Sequence, residues 1–144
     1  ALVARANFGM PERKVSGVDY NRVSMLLAIL EKRIGLKLGG QDIFVNIVGG
    51  DQIDEPAADL GIAMTIASSF KEKVIPSDIV FVGEVGLGGE IRSVSQIEIR
   101  LKEAQRLGVK RAVIPKDNAK GIGKELGIER IEVCYLSEAV EIIG

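Results

Sequence analysis

The stretch DEPAADLGIAM, residues 54–64, holds three carboxylates, Asp54, Glu55 and Asp59, where a loop delivers the chain to a helix. Carboxylates at such a place can act as general acids or bases, or can be held there by the positive end of the helix. A nucleophile for acyl transfer would sit at the helix start, yet the residues there are Ala57 and Ala58. The 144 residues contain no histidine and one cysteine, Cys134. Ser-His-Asp and Cys-His catalysis are thereby excluded, as is a structural zinc site, which a lone cysteine cannot hold. A lysine-activated serine or threonine, or a purely carboxylate mechanism, stays open. GEVGLGGE has neither the GxxxxGK[ST] spacing nor a helix after it, and GIGKE (121–125) carries Glu125 where a Mg²⁺-binding hydroxyl is needed, so no phosphate loop is read. GLGG is read instead as a hairpin turn.

The elements that must position these residues follow from periodicity. ALVARANF reads as a strand. In GVDYNRVSMLLAILEKRIG, Val23, Leu26, Leu27, Leu30 and Ile34 recur at helical spacing, with Asp19 or Asn21 to cap the helix and Gly35 to end it. DIFVNIVGG predicts a strand from Ile43 to Val48. The helix from Ala57 to about Lys73, with Gly61, Ala63, Thr65, Ala67 and Ser68, is small and apolar nearly all round and should lie deep. IVFVGEV predicts a strand that GLGG returns into EIRSV. Ile97, Leu101 and Ala104 line one face of a further helix ending at Gly108. KRAVIP and ERIEVCYL predict two more strands, Cys134 being expected as a buried small hydrophobe, and SEAVEIIG a short last helix. Hairpin and helix-linked strands together predict an α+β domain with a mixed sheet and packed helices. Without repeats or a linker-like stretch, residues 1–144 are expected to form one domain. Net charge is −1, from 19 Lys and Arg against 20 Asp and Glu, which gives no global attraction to nucleic acid. No apolar run is long enough for a membrane span, and one cysteine fits a reducing compartment, so the expected location is cytoplasmic.

DEPAADLGIAMTIASSF, VGEVGLGGEIRSV, the helix over 97–107 and GVKRAVIPKDN occur in an order and spacing that resemble the proteolytic domain of the Lon family. The resemblance implies the Lon-type fold, that of ribosomal protein S5 domain 2, and a serine–lysine active site. Here Ala57 stands where that family's serine belongs and Glu98 where its lysine belongs, so the resemblance implies a domain without peptidase activity. FGMPERKVSGVDYNRVSMLLAILEKRIGL, DIFVNIVGG, DEPAADLGIAM and FVGEVGLGGEIRSV are, more narrowly, similar to the C-terminal Lon-like domain of the RadA/Sms recombination family.

That resemblance implies a part in DNA repair and homologous recombination, within an ATP-driven branch-migration protein that forms homo-hexameric rings, binds DNA and works with other recombination proteins. In that family ATP, Mg²⁺ and Zn²⁺ belong to a RecA-like ATPase and a four-cysteine element, neither of which these 144 residues contain. No cofactor is expected in this domain, and the chain is expected to be an excised one. The basic clusters are Arg13/Lys14, Lys32/Arg33, Arg100/Lys102/Arg106 and Lys110/Arg111. Of these, Arg13, Lys32, Arg33 and Arg111 are expected to contact DNA, because they lie on or beside the segments most particular to RadA. Six copies around a channel would build a surface that the charge of one chain conceals. An oligomerisation scaffold without DNA contact, and a peptidase with another nucleophile, remain the alternatives.

Overall fold

A computed structural model describes residues 1–6, 10–47, 55–123 and 126–144. The Asp54 carboxylate, Val48 and Glu125 lie outside the described residues. Strand β1 (Leu2–Arg5) pairs antiparallel with β3 (Gln41–Asn46), and β2 (Arg13–Ser16) lies parallel on the other side of β3, giving a mixed three-stranded sheet in the order β1-β3-β2. Between β2 and β3 runs α1 (Tyr20–Ile29). Asp19 is its cap, accepting from the Arg22 amide at 3.2 Å. The helix continues into a π turn, Leu30–Ile34, and ends at Gly35, whose φ of 84° a residue with a side chain rarely adopts.

A 3₁₀ turn, Pro56–Ala58, leads into α2 (Asp59–Lys71), which packs against β1 and α1. Leu60, Ile62, Ala63, Met64, Ile66 and Ala67 of α2 are buried, and only Thr65 of its small residues is exposed. Next come β4 (Ile79–Phe81), then the hairpin β5 (Glu84–Val85) and β6 (Ile91–Arg92), α3 (Ile97–Arg106), β7 (Arg111–Pro115), β8 (Glu129–Val133) and α4 (Leu136–Ile142). The strands β4, β7 and β8 form an all-parallel sheet in the order β4-β7-β8. Its two faces are covered differently. Val113 and Val133 join the main core with α1, α2 and α4, while Ala112 and Ile114 join a smaller one with Ile97 and Leu101 of α3. Burial on both faces is why the strand reads as the unbroken apolar run AVIP.

The class is therefore α+β, as expected, but the strands form two three-stranded sheets and a hairpin rather than one mixed sheet. The run IVFVGEV is broken at Val82-Gly83. There the chain leaves the parallel sheet, Val82 N–H still bonding the Val113 carbonyl at 3.0 Å, and crosses the start of α2. Gly83 donates to the Ala57 carbonyl at 3.0 Å and accepts from the Leu60 amide at 3.0 Å. A Cβ at Gly83 would lie 2.8 Å from Ile91 Cγ2, so only glycine fits this crossing. Cys134 is corrected as well. It lies just past the end of β8 and is exposed, because the apolar alternation ends with the buried Val133.

One ion pair fixes the crossing. Asp59, in the first turn of α2, has no solvent exposure. It accepts from the Arg22 guanidinium of α1 and from the Val85 amide of β5, the latter at 3.2 Å. Burial pushes its carboxyl above the usual range, and the neighbouring Glu84 charge adds to this; Arg22 and the Val85 amide pull the other way without cancelling it. Arg22→Met would strand the carboxylate. Because the Arg22 side chain keeps 24% exposure, the expected loss at neutral pH is about 3 kcal/mol, the low end for a broken buried pair. A carboxyl with a raised folded-state pKa binds its proton more tightly when folded, so stability is gained as pH falls through that pKa toward about 3.9. Urea unfolding across pH should therefore show the Arg22→Met penalty shrinking on acidification. A penalty that grows as the pH falls contradicts the assignment.

Candidate functional site

The crossing of residues 82–85 over the start of α2 leaves a cleft of about 190 Å³. Glu55, Pro56 and Ala57 form one wall, Glu84 another, and Ser93, Val94, Ser95 and Arg100 the third. Ala57, where the Lon resemblance requires a serine, is buried at this junction. The third wall is held by Asn118, in the 3₁₀ turn Lys116–Gly121 after β7. Its side-chain amide pairs with Val94 like a short length of strand. Oδ1 accepts from the Val94 amide at 2.8 Å and Nδ2 donates to the Val94 carbonyl at 3.0 Å. This gives the segment IPKDN a mechanical role.

Gln96 then turns the chain into α3 with φ 56°, a left-handed conformation uncommon for a residue with a Cβ. That entry decides which side chain of α3 meets the cleft. It is Arg100, whose Nε donates to the Ser95 carbonyl at 2.8 Å and whose guanidinium pairs with Glu55. Glu98, at the position expected for the lysine, is not among the residues lining the cleft. It faces Lys102 across one turn at 4.0 Å, an exposed pair worth only a few tenths of a kcal/mol. Counting along the sequence locates the position in α3 but not the direction of its side chain. The acidic group is likewise split by the fold: Asp59 is consumed by Arg22, and Glu55 by Arg100.

As chemistry, the cleft offers two carboxylates, two serine hydroxyls and one guanidinium. Arginine stays protonated in proteins, so Arg100 can hold an anion but cannot take a proton from a hydroxyl. Among the described residues no lysine lines the cleft. Ser69, further along α2, is already occupied, its Oγ accepting from the Val3 amide at 2.9 Å.

The four basic residues expected at DNA lie on three elements. Arg13 is half-buried in β2, in the first sheet. Lys32 and Arg33 are adjacent and exposed on the π turn after α1, Arg33 donating from Nε to the Leu87 carbonyl of the hairpin turn at 3.3 Å. Arg111 opens β7 in the second sheet, and its Nη2 bonds Asp78 Oδ1 at 3.2 Å. The structure brings only Lys32 and Arg33 together by sequence neighbourhood. Arg22 and Arg100 were not singled out from sequence as partners of the acidic loop. A fully buried aspartate demands a cation, and the polar face of α1 could have supplied that signal for Arg22.

Comparison with known proteins adds what geometry alone does not give. The family model described as subunit ChlI of Mg-chelatase matches residues 5–118. The DNA repair protein RadA of Bacillus subtilis is 50% identical over 140 residues, covering 97% of this chain and 31% of the relative. RadA of Aquifex aeolicus is 47% identical over 143 residues (99% and 32%), and RadA of Synechocystis 44% over 142 residues (99% and 28%). The chain spans about a third of the length of these curated relatives. With the ChlI model covering most of it and RadA proteins matching it nearly end to end, the chain belongs to the ChlI-type family and to the RadA/Sms group.

Proposed function

We propose that the chain is the Lon-like, non-proteolytic domain of a RadA-type protein of DNA repair and homologous recombination, acting in the cytoplasm. In this reading the whole protein is an ATP-driven branch-migration motor that works with other recombination proteins. The 144 residues form one domain that holds a homo-hexameric ring together and binds DNA without sequence preference. The observation that carries the reading is the 50% identity to a RadA protein over 97% of the chain, with Ala57 at the head of the cleft. ATP, Mg²⁺ and Zn²⁺ are assigned to other parts of the longer proteins. The residues here do not fit them: the phosphate-loop spacing is missing, there is one cysteine, and no group of three metal-ligating side chains occurs among the described residues. Among the described residues no helix is long and apolar enough to cross a membrane.

The chemistry of Arg100, the one cation lining the cleft among the described residues, supports a non-catalytic reading. Ala57→Ser would restore a hydroxyl, but the guanidinium cannot accept its proton. The Ala57→Ser chain should neither hydrolyse peptides nor be labelled by a fluorophosphonate serine probe. Hydrolysis by either form, lost on changing Ser93 or Ser95, would support the peptidase alternative instead.

DNA contact is assigned to Arg13, Lys32, Arg33 and Arg111 through phosphates rather than bases, since aromatics are only 4% of the chain. Lys32 and Arg33 carry the expectation best, being exposed. A scaffold without DNA contact is the second reading. It is favoured by the intramolecular engagement of Arg33 with Leu87 and of Arg111 with Asp78. Duplex binding by the full-length protein across a salt series separates the two. Removing the charge at Lys32 or Arg33 should weaken binding and flatten the slope of log affinity against log salt by about one unit per lost phosphate contact. If all four substitutions leave affinity and slope unchanged while the ring persists, the domain is a scaffold.

A further inference from the structure

A second crevice, of about 420 Å³, lies beside the β5–β6 hairpin and shares only Ser93 with the cleft above. It opens at the carboxyl ends of two adjacent parallel strands, the edge of an α/β sheet where ligands commonly bind. Pro115 of β7 and Val133 of β8 are register partners, so Lys116 and Asp117 leave the sheet level with Cys134 and Tyr135. The third wall is β6 with its flanking residues Glu90 and Ser93. The Ile91 amide bonds the Cys134 carbonyl at 2.8 Å, and Glu90 bridges to Tyr135, so the wall is fixed to the sheet end.

What faces the opening is a set of complementary side chains. Tyr135 is 55% exposed and brings an aromatic ring to a wall that also carries Ile91, Val133 and Cys134. Lys116 is exposed, and among the described residues no carboxylate lies within ion-pair distance of it. Arg92 is held in orientation by Glu90 at 3.2 Å and Glu84 at 4.0 Å. Glu90 itself is committed, accepting from the Gly88 amide at 2.9 Å as well as from Arg92. Asp117 is exposed and, among the described residues, makes no side-chain hydrogen bond or ion pair, so its carboxylate can accept from hydroxyl donors.

We propose that this crevice binds a nucleoside monophosphate, its base stacked on Tyr135, its phosphate between Lys116 and Arg92, and its sugar hydroxyls toward Asp117. A planar ring and a compact anion on one ligand are what an exposed aromatic beside two cations recognises. With Glu84 counted beside Glu90, Arg92, Lys116 and Asp117 these side chains sum to −1, so the phosphate relies on direct contact with Lys116 and the Arg92 guanidinium rather than on the overall field, and a triphosphate tail is disfavoured. The volume lies within the range of small-molecule sites. The site needs no phosphate loop, and it does not rest on the DNA-repair reading.

The test titrates adenosine and guanosine monophosphates into the 144-residue chain, followed by amide NMR. Saturable binding is expected, with shifts at residues 91–93, 116–117 and 133–135. Tyr135→Ala and Lys116→Ala should each weaken it about tenfold, on the scale of one stacked base or one charge-assisted phosphate contact. Tyr135→Phe keeps the ring and should keep the affinity. Three results overturn the proposal: no saturable binding at millimolar nucleotide, an affinity unchanged from the unsubstituted chain in both alanine variants, or binding of oligonucleotides through these residues with monophosphates ignored.

Discussion

Everything around the candidate site depends on one buried carboxylate. Asp59 is the only charged side chain, among the described residues, that is fully buried. Removing a charge from water is expensive unless a counter-charge and hydrogen bonds replace the hydration. Arg22 supplies the first and the Val85 amide the second, so a helix, a second helix and a hairpin strand are tied at one side chain. The Gly83–Ala57 and Leu60–Gly83 hydrogen bonds then follow within a few residues on either side. The cleft takes its shape from these constraints, and Ala57 is buried there because they close over it.

The polar side chains around the cleft are engaged with one another. Glu55 and Arg100 satisfy each other across the cleft, and Ser95 gives its carbonyl to the same guanidinium. The exposed cations at Lys32 and Arg33 lie on the π turn after α1, which is the helix that carries Arg22.

Much of this was legible in the sequence wherever local physics decides. Asp19 and Gly35 bracket a helix because a cap and a left-handed stop are local requirements, and the spacing of Val23, Leu26, Leu27 and Leu30 marks its buried face. The Gly-rich hairpin and the apolar run of β7 were legible for the same reason. Strand β2 was not, since RKVS has only four residues and owes its strand conformation to parallel pairing with the distant β3. The break at Gly83 was hidden because IVFVGEV keeps its apolar character across two different sheets. In the site, the Lon resemblance set Ala57 where a serine would stand, and Ala57 lies buried beside the cleft. That Arg100 rather than Glu98 meets the cleft depends on the left-handed backbone at Gln96, which periodicity cannot register.

The central claim is that Arg22 and Asp59 act as one unit. A double-mutant cycle with Arg22→Met and Asp59→Asn, read by urea unfolding at neutral pH, measures this directly. The account predicts a coupling energy of about 2 kcal/mol, with the double variant less destabilised than the sum of the singles, because neutralising Asp59 removes the charge that Arg22 serves. Additive effects, with no coupling beyond about 0.5 kcal/mol, would contradict it.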